Sequence, residues 1–270
     1  MTQLSERVTD FDRTTTVVAD PERPGEFAVE LDPGWSSLVG IHGGYMSALT
    51  VRGAEAFAGA GDRTVRTVTT SFLRTGEPGP ATVSVHIVRS GRSLTTATAD
   101  LIQQGKVLVT SRLTLLTERA GVEWRAATPI DVAPVADCVP VNSEVGHFKQ
   151  ADGLLDPRRL PFSEGAEARV SGYVRPLEAR VLDPTWLAMV SDWFPPPAFV
   201  RLAPPTGGVS IDLTTHIHRP GLLLAADEWL VGDFAVANST GGLAVEHGRI
   251  ARRDGTVVAE SFQTRLTATA

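Results

Sequence analysis

The chain has 270 residues, 42% of them hydrophobic and 21% charged, so it can bury a sizeable core, and at ~150 residues per domain it points to two domains rather than a disordered or fibrous chain. Lys plus Arg number 25 against 31 Asp plus Glu, and the formal net charge of −6 argues against a broad nucleic-acid footprint. One cysteine (Cys138) and six histidines leave no disulfide and no zinc spacing, no glycine-rich phosphate loop follows a strand pattern, and no apolar run reaches the ~18 residues of a membrane span. No metal, organic cofactor, secretion signal or membrane span is expected, and a cytoplasmic location is the expectation.

Val- and Thr-rich segments of alternating polarity predict strands near Thr14–Ala19, Glu26–Leu31, Thr64–Leu73, Ala81–Arg89, Ser93–Gln103 and Val107–Thr117. One helix stands among them, Gly43–Ala58, where Met46, Leu49, Ala54 and Phe57 recur near helical spacing after Gly43-Gly44. From about Arg119 to Asn142 the pattern dissolves into Ala, Pro, Asp and Val. This divides the chain into an N-terminal unit (1–119), a linker (120–143) and a C-terminal unit (144–270). Strands are then expected near Ala168–Arg175, Gly208–His218, Glu228–Ala237, Leu243–Arg252 and Thr256–Thr267, with one short helix over Pro184–Trp193. Asp183 is its N-cap and Pro184 its first residue, where a missing N–H costs nothing.

The halves share more than element order. Thr67–Gly76 (TVTTSFLRTG) matches Asp212–Gly221 (DLTTHIHRPG) at an offset of 145, and Gly105–Leu116 (GKVLVTSRLTLL) matches Gly255–Leu266 (GTVVAESFQTRL) at an offset of 150. The chain reads as an internal duplication: two β-rich units, each with one helix and a curved antiparallel sheet, whose sheets pair edge to edge and so hide exposed edges.

A helix opening with Gly-Gly, wrapped by an antiparallel sheet and present twice, resembles the double hotdog fold, an α+β architecture. Val39-Gly40-Ile41-His42-Gly43-Gly44-Tyr45 resembles the start of the first helix in the acyl-CoA thioesterase II family. Ser210–Pro220 (SIDLTTHIHRP) and Arg252–Gln263 resemble that family's later strands. The resemblance covers most of both halves and implies an enzyme of lipid metabolism that hydrolyses acyl-CoA through a water held by an aspartate, a hydroxyl and a glutamine. Carried over by position these are Asp192, Ser210 (where the family more often has threonine) and Gln263.

The chemistry is coherent. A thioester lacks strong resonance stabilisation, so a water activated by a carboxylate and held by two neutral groups attacks it without a covalent intermediate. Backbone N–H groups at Gly43 and Gly44 are candidate donors to the carbonyl oxygen of bound substrate. By residue type alone, each position also fits a plain structural role: Asp192 as a carboxylate at a helix end, Ser210 as an edge hydroxyl, Gly43-Gly44 as a turn. The same holds for His216 and His218 on one strand face and for Arg74 and Arg219 at equivalent strand ends. The duplication supplies a control. Ser210 corresponds to Val65, Gln263 to Leu113 and, by a weaker alignment, Asp192 to Val51, so the polar catalytic groups are confined to the second copy and one active site is expected. The alternatives are a non-catalytic acyl-CoA or acyl-carrier binding protein on the same fold and, third, an enoyl hydratase, for which no histidine stands beside Asp192 in sequence. Acyl-CoA is the expected partner, and a homo-oligomer is expected by analogy with other hotdog assemblies.

Overall fold

The computed structural model describes residues 11–58, 63–124, 129–203 and 206–269. It opens with one helical turn, α1 (Phe11–Thr14), and a two-residue strand, β1 (Val18–Ala19). The strand expected over Thr14–Ala19 is thereby corrected. The hydroxyls of Thr14 and Thr15 donate to the Phe11 carbonyl and that of Thr16 to the Asp12 carbonyl, so local bonds hold a turn where a β-branched run suggested extended chain.

The first half continues with β2 (Glu26–Leu31), α2 (Gly43–Ala58), β3 (Arg63–Phe72), β4 (Gly79–Ser90), β5 (Leu94–Gln103) and β6 (Lys106–Thr117), close to expectation. The stretch read as a linker contributes β7 (Val139–Pro140). Then come β8 (Ala151–Leu155), β9 (Arg169–Pro176), β10 (Arg180–Leu182), α3 (Pro184–Val190), β11 (Thr206–Ile217), β12 (Leu222–Leu224), β13 (Leu230–Thr240), β14 (Leu243–Arg252) and β15 (Val257–Thr269). The sequence gives no signal for β7, β8, β10 and β12, which are short. The Asp-Gly in β8 reads locally as a turn, and only its pairing with β9 makes it a strand. Asp183 caps α3 as expected, accepting the Trp186 N–H at 2.7 Å, with Pro184 next. The helix ends at Val190 rather than Trp193, because the Ser191 hydroxyl bonds back to the Leu187 carbonyl and three prolines, 195–197, follow.

Among the described residues thirteen strands form one antiparallel sheet in the order β1-β2-β4-β5-β6-β3-β11-β15-β14-β13-β9-β8-β7. Its midpoint is the β3–β11 pairing, where Thr67 faces His216 and Ser71 faces Asp212, so the duplicated Thr-Thr segments lie side by side across a pseudo-twofold relation. The expected two-unit α+β architecture with joined sheets is present. The register carries the duplication further than sequence did: β3 shifts register between Val65 and Thr67, and β11 shifts at the equivalent place, between Ser210 and Asp212. A bulge here reverses which residue points inward. Val65 and Ser210 therefore occupy equivalent inward positions, facing Leu115 and Arg265 across the neighbouring strand.

Helix α2 packs on β3 to β6, α3 on β3 and β11, and the two helices on each other. One continuous apolar cluster runs from Trp35, Tyr45 and Leu101 in the first unit to Trp186, Leu187 and Phe234 in the second. Among the described residues no helix is long and apolar enough to cross a membrane. Val51, Val65, Leu113 and Leu115, the counterparts of the second unit's polar residues, are all fully buried. Placing an amide among them leaves its polar atoms without partners, so Leu113→Gln is expected to destabilise the fold by about 3 kcal/mol in urea denaturation while adding no activity.

Candidate functional site

Asp192 lies in the turn after α3, its N–H bonded to the Met189 carbonyl. The sheet offers it an inner face of unusual composition. On β15, Ser261, Gln263 and Arg265 are buried while Phe262 and Leu266 are 47% and 44% exposed, so this strand is polar inside and apolar outside. Glu246, opposite Gln263 on β14, is also buried, and the bulge turns Ser210 of β11 toward the same space.

The structure brings Asp192, Ser210 and Gln263 together. The Gln263 Nε2 donates to Asp192 Oδ1 and to Ser210 Oγ, both at 2.7 Å. The Gly44 N–H donates to Asp192 Oδ2 at 2.8 Å, so this amide, expected at the substrate carbonyl, is directed at the carboxylate instead. The glycines are there for close approach. A Cβ on Gly44 would fall 2.5 Å from the Met189 carbonyl oxygen, and one on Gly43 would fall 2.9 Å from Asp192 Oδ2. Any side chain would force α2 and α3 apart.

Four residues at the site were not read from the sequence. Arg265 donates through Nη2 to Asp192 Oδ1 (2.9 Å) and Gln263 Oε1 (2.7 Å), through Nη1 to Ser210 Oγ (3.0 Å) and through Nε to Glu246 Oε2 (3.1 Å). His42, preceding α2, accepts the Tyr45 N–H at Nδ1, so its Nε2 carries the proton. That nitrogen lies 3.0 Å from the Asp192 carbonyl oxygen and 3.4 Å from Oδ2. His147, in the 3₁₀ turn Gly146–Gln150, stacks on His42 with ring centroids 4.2 Å apart, and its carbonyl accepts the Trp193 indole N–H. A signal for Arg265 and Glu246 existed: both share the face of Gln263 by period-two alternation, the face a half-buried strand normally gives to apolar residues. His42 and His147 carried no such pattern, since only folding brings 42, 147 and 192 together.

The electrostatics follow from burial. Burial alone would raise Asp192, but Arg265 and His42, with the hydrogen bonds from Gln263 and Gly44, outweigh it and hold the carboxyl below its ordinary 3.8. Glu246 is raised, because burial dominates over its contact with Arg265 and the Asp192 charge adds to it. Arg265 is raised by its two carboxylates against the pull of burial. Burial lowers both histidines, His147 to about 2 with His42 beside it.

Other residues singled out by the sequence lie apart from this cluster. His218 bonds Glu260 at 2.9 Å and His216 approaches Thr67 at 3.4 Å, while Arg74 donates to the Val107 carbonyl and Arg219 to Glu123. An open groove of about 770 Å³, lined by Asn142, Lys149, Arg175 and Trp229, runs over β8 and β9, and its residue Phe148 packs edge-on against Trp193. Among the described residues no group of three or more His, Cys, Asp or Glu is arranged to hold a metal ion.

Residues 31–116 match the profile described as the acyl-CoA thioesterase N-terminal domain and residues 126–267 the one described as the acyl-CoA thioesterase C-terminal domain. Among solved structures, a conserved protein of unknown function with a hotdog fold from Alicyclobacillus acidocaldarius superposes with a TM-score of 0.87 at 21% identity, covering 97% of this chain and 100% of that one. A putative thioesterase II from Thermobifida fusca gives 0.81 at 23% identity (97% and 98% covered), and an acyl-CoA thioesterase II from Mycobacterium marinum 0.76 at 21% (97% and 99%). No curated protein matches the chain significantly by sequence.

The buried histidines predict a pH dependence of stability. Below the ordinary value of 6.5 the unfolded chain protonates both imidazoles while the native state keeps them neutral. Their contribution is therefore full above 6.5 and declines as pH falls, by about 1.4 kcal/mol per pH unit for each histidine that stays neutral. Urea denaturation at about pH 7.5 and about pH 5.5 is expected to differ by roughly 1–3 kcal/mol, and His147→Phe to remove about half of that difference.

Proposed function

Because the chain belongs to the acyl-CoA thioesterase family and carries both of its domains, we propose that it hydrolyses an acyl-CoA to the free acid and coenzyme A, with Asp192 as general base. The observation that carries this reading is the convergence of Asp192, Ser210 and Gln263 on one buried point. Asp192 Oδ1 already accepts two hydrogen bonds, from Gln263 and Arg265, whereas Oδ2 accepts one, from Gly44. A carboxylate has about four acceptor positions, so Oδ2 is where a water's proton is taken. The water oxygen bonds to the thioester carbon, the C–S bond breaks, and the sulfur leaves as thiolate with the electron pair. Gln263 uses both amide hydrogens on Asp192 and Ser210, so it orients these two groups rather than gripping the water itself. Gly43 and Gly44 act by letting the helices close and by orienting Asp192.

Asp192→Asn keeps the shape and removes the base. In a thiol-release assay turnover is expected to fall by ~10²–10⁴ with KM little changed, as for a group acting mainly in the transition state. The rival reading, an acyl-CoA- or acyl-carrier-binding protein, is favoured by how completely Asp192 is hydrogen-bonded, and tight acyl-CoA binding without thiol release by the native protein would establish it. For enoyl hydration, a histidine does stand beside Asp192 in space, although not in sequence. Both ring nitrogens of His42 are nevertheless engaged with backbone groups, and an enoyl-CoA hydration assay is expected to show no product.

We further propose that the chain works as a homo-oligomer in the cytoplasm. Val209, Val245, Phe262 and Leu266 are exposed apolar side chains on the neighbouring strands β11, β14 and β15, with Val209 directly opposite Leu266, and neighbouring exposed apolar residues favour association. Light scattering is expected to give a multiple of the chain mass, and Val245→Glu to lower it.

A further inference from the structure

The reaction proposed above makes no use of Arg265, the most heavily bonded side chain in the site. It is 7% exposed and touches four other side chains on three strands and the α3 turn. Its contacts determine two things that Asp192, Ser210 and Gln263 cannot determine among themselves.

The first is the polarity of the hydrogen bonds. A glutamine amide can be turned either way, placing oxygen or nitrogen toward a neighbour. Here Oε1 of Gln263 receives the guanidinium Nη2, which fixes the amide so that both of its hydrogens face Asp192 and Ser210. Ser210 Oγ then accepts twice, from Gln263 Nε2 and from Arg265 Nη1. A hydroxyl has two lone pairs and one hydrogen. With both lone pairs occupied by donors, the only role left to Ser210 is to donate. Ser210 is half-buried, at the margin of the cluster, so its O–H is available to an arriving acceptor.

The second is charge. Asp192 is faced by Gln263 and Arg265 from β15, by Ser210 from β11 through Gln263, by the Gly44 N–H and His42 from the start of α2, with His147 stacked behind His42, and by Glu246 on β14 through Arg265. Both histidines are neutral, so Arg265 is the one cation among them. Without it two carboxylates would share a buried space with no counter-charge.

We propose that Arg265 is a positioning residue for thioester hydrolysis, keeping Asp192 ionised and committing the Ser210 hydroxyl to donate a hydrogen bond to the thioester carbonyl oxygen. That oxygen gains negative charge as water adds, and Ser210, with the guanidinium 3.0 Å behind it, meets it with an oriented donor. Ser210 thus takes the place at the carbonyl that the Gly44 amide cannot fill. The assignment of the reaction rests on the thioesterase reading; the assignment of the charge and the hydrogen-bond polarity does not.

Two variants and two measurements separate these parts. Arg265→Met removes both charge and fork, and Arg265→Lys keeps the charge without the planar fork that reaches Ser210, Gln263 and Asp192 together. In thiol-release kinetics Arg265→Met is expected to lower kcat by about 10²-fold and to move the acid limb of kcat/KM up into the range of about pH 5–7. Arg265→Lys is expected to restore the acid limb but not kcat, and it stands in if the Met variant fails to fold. Independently of turnover, the Asp192 carboxyl, followed by ¹³C NMR and assigned by its loss in Asp192→Asn, is expected to titrate below its ordinary 3.8 in the native protein and above it in Arg265→Met. Native-like kcat and an unmoved acid limb in Arg265→Met, or an unchanged Asp192 titration, overturn the proposal. A native protein that releases no thiol while the titration still shifts overturns the thioesterase reading and leaves the charge assignment standing.

Discussion

An ionised carboxylate with 7% of its surface exposed sets the terms for everything around it. Transferring such a group from water without compensation costs several kcal/mol even after relaxation, so Asp192 exists in its charged form only because four groups are aimed at it: a cation, an amide, a backbone N–H and an imidazole. Removing one partner from such a pair typically costs about 3–5 kcal/mol, because the other charge stays buried. The arrangement therefore ties stability to the geometry of the site.

The four groups arrive from both halves of the chain. Gln263 and Arg265 belong to the terminal strand of the second unit, while Gly44 and His42 belong to the first unit's helix and the segment before it. Close helix contact makes this possible. With no side chain at 43 and 44, the backbone of α2 comes within bonding distance of the α3 turn, and a first-unit amide completes the coordination of a second-unit carboxylate. The 3₁₀ turn Gly146–Gln150 seals the other side, its backbone bonded to Ser36 in the first unit and to the Trp193 indole in the second. The functional unit is thus the duplicated pair rather than either copy.

Duplication also shows what specialisation involved. Equivalent bulges aim Val65 in one copy and Ser210 in the other at the interior, and equivalent register pairs them with Leu115 and Arg265. One copy fills these positions with apolar side chains that pack into the core. The other inverts its strand, burying Glu246, Gln263 and Arg265 while leaving Val245, Phe262 and Leu266 on the outside. A strand is amphipathic either way round, and the inversion places charge inside and an apolar surface outside at once.

Periodicity and repetition in the sequence were enough to establish the two-unit α+β architecture, the helix Gly43–Ala58, the cap at Asp183 and the edge-to-edge joining of the two sheets, because these depend on local spacing and on a pattern stated twice. The family motifs named Asp192, Ser210 and Gln263, and the fold brings these three together. The helical turn at Thr14, the short strand β8 and the early end of α3 escaped notice because local hydrogen bonds or tertiary pairing override propensity there. Arg265 and Glu246 were visible only as polar residues on an alternating strand. Which face of β15 is inside depends on where α3 and the other half of the molecule lie. His42 and His147 sit 150 and 45 residues from Asp192, so no spacing rule reaches them. Sequence determined what each segment is, from interactions a few residues long. Only the tertiary structure decided which polar groups share one dry interior, because burial and charge compensation belong to the space between segments and not to any one of them.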